Sequence, residues 1–286
     1  MERSTPHELS YAEMDEALAG IDIPPCPNTV TAVMAEAQKD SPDITVLTRI
    51  IAGDVGMSAY ALKMANSVLF RRGAVTDHVG QAIARLGTRN VVCIVVAVAL
   101  RNSLADALPA EFLDHFWNRS NAAALASGMV ARKLRGIPAD LAYTYGLFHD
   151  AAVPVMMRRF PDYGEVFDLA LTQEQPLVAI EDARYRCSHA VVGALLARNW
   201  GLPATLAAAI RHHHDVGAYE MPRGSLAAES LALIAVTQVA ERLISDGLGE
   251  PDHEVGALYD KAVAYLGLHE DELRDLAEDL VEALSG

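Results

Sequence analysis

Aromatic residues are scarce in this sequence, at 6% of 286 residues, and this scarcity argues against a fold rich in β-strands. Strands usually carry aromatic and β-branched side chains at alternating positions. Hydrophobic residues make up 51% of the chain. They are mainly Ala, Leu and Val, and Ala and Leu favour helices. We therefore predict an all-α protein that is long enough to bury a substantial core.

Cysteine is also rare, and the three residues Cys26, Cys93 and Cys187 form no CxxC pair. We expect neither disulfides nor a cysteine zinc site, as suits a reducing compartment. The first residues lack the basic and apolar segments of a signal peptide. The longest apolar run, Val91 to Leu100, is shorter than the roughly 20 residues that a membrane helix needs. These absences predict a cytoplasmic protein without a membrane partner, in which that run forms a buried core helix.

Basic residues are also few relative to acidic ones, and the formal net charge is -15. Binding to nucleic acid through phosphate neutralisation needs clustered Lys and Arg. The basic residues here gather only in three short pairs, Arg71-Arg72, Arg132-Lys133 and Arg158-Arg159. A nucleic-acid partner is therefore the least favoured alternative, and a steep fall of affinity with salt would reveal it.

Prolines and glycines divide the chain into helices. The proline-rich stretch 24–27 breaks the chain, and Asn28 is the expected N-cap of the first helix. Ser41-Pro42-Asp43 is a second cap-like start, and Gly87 is a turn before the buried run. The stretch 103–110 is the best candidate boundary. Further helices are predicted at 57–67, 111–135, 141–150, 155–171, 177–184, 188–200, 203–214, 226–246, 254–266 and 270–284, the last with an acidic, solvated face.

Histidines and carboxylates are grouped at predicted helix ends. His149-Asp150 ends one helix, His189 opens another, and His212-His213-His214-Asp215 ends a third. A divalent metal with nitrogen and oxygen ligands needs such side chains to converge from different helices. An Asp next to a His could bridge two metals, and the metal could activate water for attack on a phosphate. A histidine near a helix end, taken alone, more often complements the helix end than binds a metal.

The order of these groups resembles that of the HD superfamily, and the N-terminal half makes the resemblance more specific. Asp54-Val55-Gly56-Met57 followed by Ala65-Asn66-Ser67 is similar to the signature of HDOD domain proteins. The resemblance continues through Pro24-Pro25-Cys26-Pro27, Val79-Gly80-Gln81-Ala82-Ile83, Gly146-Leu147-Phe148-His149-Asp150 and Trp200-Gly201-Leu202-Pro203. It implies a multi-helix HDOD fold with an HD-like helical bundle in the C-terminal half.

The resemblance also implies a domain layout. Residues 1–22 are expected to be a helical lead-in, and residues 23–246 the HDOD domain. Within that domain we expect an N-terminal helical subdomain at 23–108 and an HD-like subdomain at 109–246. The remaining residues, 247–286, are expected to be acidic helices packed on the domain.

Three departures from the HD pattern bear on chemistry. Arg119 occupies the position where an active HD enzyme has a histidine, and arginine stays protonated and cannot act as an ordinary metal ligand. Glu241 replaces the last Asp, and the Lys that often follows His-Asp is missing. The metal ligands that the resemblance implies are His149, Asp150, His189, His213, His214 and Glu241. This set is sufficient for one divalent metal ion, and Arg119 is interpreted as a residue that meets an anionic ligand.

The function implied is that of a bacterial signal-transduction protein with a degenerate metal site and no catalytic residue. It would act by binding signalling proteins or a small anionic or nucleotide ligand, and a homodimer is compatible with this role. The alternative is a metal-dependent phosphohydrolase or phosphodiesterase acting on a nucleotide or cyclic dinucleotide.

Overall fold

A computed structural model describes residue 21 and residues 23–173, 175–222, 224–248 and 257–285. The predicted lead-in at 1–22 lies outside this part, apart from Ile21. The first helices are α1 (Asn28–Ala37), α2 (Ile44–Ala52), α3 (Val55–Ala65) and α4 (Val79–Leu104). The next are α5 (Ala110–Lys133), α6 (Ala139–Phe148), α7 (Val153–Arg159), α8 (Tyr163–Gln173), α9 (Leu177–Tyr185), α10 (His189–Asn199) and α11 (Ala204–His212). A 3-10 helix (Val216–Glu220), α12 (Ala228–Leu248), α13 (Ala257–Leu266) and α14 (Glu270–Ser285) complete the list. The all-α prediction is confirmed.

Aspartate side chains begin two of the N-terminal helices. Asp43 caps α2 by accepting a hydrogen bond from the backbone N–H of Thr45 at 2.8 Å, as predicted. Asp54 caps α3 in the same way through the N–H of Met57 at 2.8 Å. The prediction that this helix begins at Met57 was therefore two residues late, because an N-cap precedes the first helical residue.

The N-cap predicted for the first helix was wrong by one residue. Pro27, not Asn28, is the N-cap of α1, and Asn28 is its first helical residue. The Pro27 carbonyl accepts the first helical hydrogen bond, from the N–H of Thr31 at 3.1 Å. Proline has a fixed φ and needs no N–H at this position, so it can start a helix without a side-chain cap.

The helix predicted at 155–171 is two helices. α7 ends at Arg159, and α8 begins at Tyr163 after a short break that contains Pro161. Phe160 is extended, with φ −117° and ψ 102°. A residue that precedes proline is pushed out of the helical region by the proline ring, and this ends α7. Further along, α12 begins two residues later than predicted, at Ala228.

Helix α4 contains the long apolar run. Gly87, with φ 78° and ψ 164°, interrupts it, as the predicted turn requires. Every residue from Val91 to Leu100 except Val92 is buried. By length and composition alone α4 could cross a membrane, but 61% of its most apolar window is buried inside the protein. The prediction of a buried core helix is confirmed.

The apolar core continues from the first helix to the last. One cluster of buried side chains includes Val30 of α1 and Leu280 of α14. Trp200 reinforces this connection, because its indole N–H donates to the carbonyl of Pro24 at 2.8 Å. The predicted boundary at 103–110 lies between α4 and α5. The division into subdomains at that point stays a prediction.

Candidate metal centre

Four helices bring the six predicted ligands to one place. His149 and Asp150 follow the end of α6, and His189 is the first residue of α10. His213 and His214 follow α11, and Glu241 lies within α12. The ends of short helices therefore carry all ligands but one. The side chains converge from different helices, as they do in sites built inside a helical bundle.

Asp150 lies at the middle of the centre. One of its oxygens, Oδ1, is 3.1 Å from Nε2 of His213 and 3.3 Å from Nε2 of His189. Its other oxygen, Oδ2, is 3.2 Å from Nε2 of His149. The Nε2 atom of His189 is also 2.8 Å from that of His214. The two carboxylate oxygens thus face different sets of imidazoles.

These contacts define two overlapping sets of donors. The four-residue group consists of Asp150, His189, His213 and His214, and the three-residue group consists of His149, Asp150 and Glu241. In each group the ligand atoms lie within 4.8 Å of one another. Nε2 of His149 is 3.0 Å from a carboxylate oxygen of Glu241. Since Asp150 belongs to both groups, it could serve a single ion or bridge two.

Three of the four imidazoles are buried, and the two carboxylates are partly exposed. The side chains of His149, His189 and His213 are 4%, 1% and 5% exposed. Asp150 is 31% exposed and Glu241 is 16% exposed. A ligand or an ion would therefore reach the centre past the two carboxylates.

Backbone carbonyls orient two of the imidazoles. Nδ1 of His149 is 3.0 Å from the carbonyl oxygen of Gly146, and Nδ1 of His213 is 2.7 Å from that of Ile210. A carbonyl oxygen can only accept, so Nδ1 carries the proton in both rings. The Nε2 atoms point into the centre, which is the arrangement that metal-binding histidines use.

A buried carboxylate that the sequence reasoning missed holds His189. Glu181 on α9 is fully buried, with no exposed area. It lies 2.8 Å from Nδ1 of His189 and accepts from the backbone N–H of the same residue at 3.1 Å. The hydroxyl of Tyr163 also donates to it. No sequence motif includes Glu181. The one feature of the sequence that could have suggested it is an acidic residue eight positions before His189.

Neighbouring carboxylates control the protonation of the centre. Burial favours the neutral form of His149, but Asp150 and Glu241 raise its pKa well above the usual range. Burial likewise opposes the charged form of His189, yet Glu181 and Asp150 raise its pKa to about 10. Because metal ligands must release such protons, ion binding here would be coupled to proton release.

The pKa values of His213, His214 and Asp150 are lowered, in contrast to those of His149 and His189. Burial lowers the pKa of His213 and lowers that of His214 well below the usual range, so both imidazoles are neutral near pH 7. Burial would raise the pKa of Asp150, but His149 holds it well below its usual value. Neutral imidazoles beside an ionised carboxylate are the protonation state that metal coordination requires.

Arg119 lies beside the three-residue group and is not one of its members. It is on α5, and its Nη2 is 3.5 Å from the hydroxyl oxygen of Ser245 on α12. Burial raises the pKa of Glu241, whereas the charges of His149 and Arg119 lower it, and the net shift is downward. The guanidinium is therefore close enough to affect the carboxylate at the edge of the centre.

The donor set fits a divalent metal of the first transition row. Imidazole nitrogens and carboxylate oxygens suit ions such as zinc, manganese, iron or nickel, and no thiolate takes part. The cysteines lie elsewhere, and all three are free. Such an ion could polarise a phosphate oxygen or lower the pKa of bound water.

The fold and this centre define a class: all-helical proteins that gather histidines and aspartate between helix ends. The sequence pattern of the HDOD domain matches residues 23–216, which is more than half of the chain. The chain belongs to the HDOD domain family. The resemblance inferred from the motifs is confirmed.

Solved structures share the fold. An HDOD domain protein of unknown function from Geobacter sulfurreducens superposes with a TM-score of 0.71 at 19% identity, over 96% of this chain and 95% of that one. A proposed signal transduction protein from Marinobacter aquaeolei superposes with a TM-score of 0.69 at 20% identity. The superposition covers 96% of this chain and 63% of that one. A proposed phosphohydrolase from Shewanella amazonensis superposes with a TM-score of 0.68 at 21% identity. The superposition covers 96% of this chain and 94% of that one. At these identities the likeness establishes the fold alone.

A sequence relative is also found among curated proteins. An uncharacterized protein of Treponema pallidum (strain Nichols) is 23% identical over 201 residues, which is 68% of this chain. The match spans only 38% of the length of that relative. This chain therefore corresponds to one part of a longer protein there.

Proposed function

We propose that this HDOD protein is a bacterial signal-transduction regulator whose centre holds one divalent metal and binds an anionic ligand or a signalling partner without turnover. The observation that carries the proposal is the charge of Arg119 beside Glu241, at the edge of a centre in which His149, His189 and His213 are buried. A fixed guanidinium suits the binding of a phosphate or carboxylate and cannot replace a metal ligand.

The two groups of donors differ in their suitability for a metal. The four-residue group offers three imidazoles and one carboxylate. The three-residue group offers one imidazole, and the positive charge of Arg119 acts on Glu241 within it. Repulsion by that charge disfavours a cation there, so the four-residue group is the proposed site of the single ion. The proposed ligand would meet Arg119 on the side of Asp150 and Glu241.

The proposal also covers the location, the partners and the domain layout of the protein. A chain with a net charge of -15 is suited to a cytoplasmic protein that binds other proteins or small ligands, and nucleic acid is the least favoured partner. The layout of an HDOD domain at 23–246 with C-terminal acidic helices packed on it is part of the proposal. In support, α14 contacts both α5 and α12.

A metal-dependent phosphohydrolase is the second candidate, and a specific observation favours it. All six donors converge, and Asp150 directs one oxygen toward each group. A carboxylate placed in this way could bridge two ions, which would together clamp a phosphate and supply a hydroxide. The two candidates therefore differ in the number of metal ions and in turnover.

The deciding experiment is a measurement of metal content by mass spectrometry on untagged protein, for the wild type and three histidine variants. We expect about one metal ion per chain, lost in His213→Ala and kept in His149→Ala, because these residues belong to different groups. His212→Ala is the matched control, since His212 is on the same helix end and instead contacts Asp215 at 3.5 Å.

Three results would contradict the proposal. If the purified protein contains no metal, the proposal that the centre holds a divalent ion is wrong. Two ions per chain, one of them lost in His149→Ala, would favour the phosphohydrolase. Hydrolysis of bis(p-nitrophenyl) phosphate by the metal-loaded protein, abolished in Asp150→Asn, would show catalysis directly.

A further inference from the structure

We propose that a cleft between α3, α5 and α14, separate from the His/Asp centre, binds a small polyphosphate ligand with an apolar or ring portion, as in a nucleotide. The cleft has a volume of about 990 Å³. This lies at the upper end of the roughly 300–1,000 Å³ that is usual for small-molecule sites. None of its lining residues belongs to the centre.

Positive charge is concentrated in this cleft. Its lining includes four basic residues, Lys63, Arg71, Arg132 and Lys133. They come from α3, from the segment that follows it, and from the end of α5. Such a concentration is unusual in a chain whose net charge is -15. Two of the three basic pairs in the sequence, 71–72 and 132–133, thus contribute to one cavity.

Three of these cations lack a salt-bridge partner among the residues that the structure describes. Within the part of the chain that the structure describes, Lys63, Arg71 and Arg132 form no salt bridge. Phosphate groups are commonly bound by several Lys and Arg side chains, with Arg able to donate two parallel hydrogen bonds. The observed set matches a ligand with more than one phosphate better than it matches a single carboxylate.

The fourth cation is already paired by an acidic residue of the C-terminal helix. Lys133 contacts Asp279 on α14 at 3.0 Å, and both side chains are about half exposed, at 53% and 51%. Glu282 of the same helix also lines the cleft. These carboxylates lie where they would repel a bound phosphate, so α14 is expected to weaken ligand binding. An exposed pair of this kind is weak enough for a polyanion to displace.

Part of the lining is apolar. Met64, Leu125, Met129 and Leu276 contribute side chains, and the buried Tyr143 lies among them. Methionine and aromatic side chains pack well against flat rings. The combination of cations and an apolar wall explains why the proposed ligand has both a polyphosphate and a ring. The concave shape favours a small ligand over a membrane or a nucleic-acid duplex.

Calorimetric titration of the full chain tests this inference. The probes are ATP, inorganic tripolyphosphate and adenosine, each added to protein kept in EDTA. We expect ATP to bind, tripolyphosphate to bind more weakly, and adenosine to give no heat. Binding in EDTA separates this site from the proposed metal site, so failure of one proposal is distinguishable from failure of the other.

Charge-neutral variants locate the binding. Lys63→Gln and Arg132→Gln, both at exposed positions, are each expected to weaken ATP binding by roughly tenfold, the loss typical of one charge-assisted hydrogen bond. Arg198→Gln is the matched control, because it removes one exposed positive charge outside the cleft. Asp279→Asn is expected to tighten binding by about threefold, since it frees Lys133.

Three results would contradict the proposed polyphosphate site in the cleft. Absence of ATP binding at millimolar concentration would do so, and so would an equal loss of affinity in Arg198→Gln. Binding to phosphatidylglycerol vesicles or to single-stranded DNA, with none to ATP, would show that the cations serve an extended anionic surface instead.

Discussion

At the scale of single residues, Glu181 determines how His189 enters the centre. It is fully buried and contacts both the ring Nδ1 and the backbone N–H of that histidine. With Nδ1 occupied, Nε2 is directed toward Asp150. Carboxylates that orient metal-binding histidines in this way raise the basicity of the ligand. Glu181 is thus a positioning residue for the four-residue group.

We expect Glu181→Gln to reduce the metal affinity of the protein by roughly 10- to 100-fold, the usual effect of losing such a partner. The amide keeps the size of the side chain and can still hydrogen-bond to Tyr163. The measurement is competition of the metal-loaded protein with a chelator.

Glu165→Gln is the control, because Glu165 is 69% exposed and pairs with Arg184, away from the centre. A merely structural role for Glu181 would appear as a lower melting temperature with unchanged metal affinity, and this result would contradict the prediction.

At the scale of helices, close contact between α5 and α6 sets the position of the His149-Asp150 pair. Gly146 of α6 faces Ser127, Ala123 and Ala124 of α5. A Cβ at this position would lie 2.8 Å from the carbonyl oxygen of Ala123 and 3.0 Å from the Cα of Ala124. Backbone atoms cannot move aside as a flexible side chain can, so the two helices would have to separate. The absence of a side chain at Gly146 therefore brings the end of α6 into place.

The variant Gly146→Ala is expected to lower the free energy of unfolding by about 1–3 kcal/mol, the usual cost of overpacking a core. Urea denaturation provides the measurement.

Gly164→Ala is its control, since Gly164 is also helical but no atom lies within 4 Å of its added Cβ. This change should be neutral or stabilise the helix slightly. Equal behaviour of the two variants would show that contact with α5 does not limit this site.

At the scale of the whole molecule, a hydrogen bond joins residues that are 176 positions apart. The indole of Trp200, after α10, donates to the buried carbonyl of Pro24, ahead of α1. The proline-rich segment is thereby attached to the C-terminal half of the chain. Both residues belong to motifs of the HDOD resemblance, and the fold gives them a shared structural role.

Trp200→Phe is expected to destabilise the protein more than Trp117→Phe, by about 1–3 kcal/mol, because it leaves a buried carbonyl without its donor. Both tryptophans are buried, at 1% and 4% exposure, so the loss of volume is similar. In the described part of the chain the indole N–H of Trp117 makes no hydrogen bond. Equal losses of stability in chemical denaturation would mean that the bond to Pro24 contributes nothing measurable.

The sequence alone determined the fold class and most helices, because helix propensity, apolar spacing, and proline and glycine positions act locally. Asp43 and Gly87 were identified correctly for this reason. Two of the errors were local too: Pro27 replaced Asn28 as a cap, and Pro161 divided a predicted helix. In each case proline stereochemistry decided the exact residue.

The family pattern in the sequence predicted six donor residues, yet only the tertiary structure decided how they meet. Asp150 lies between two groups, Glu181 is fixed behind His189, and Arg119 acts on Glu241 across two helices. The basic cleft arises in the same way, from pairs about 60 residues apart in the chain. Contacts between distant segments depend on how the helices pack, and one sequence carries no local signal for that packing.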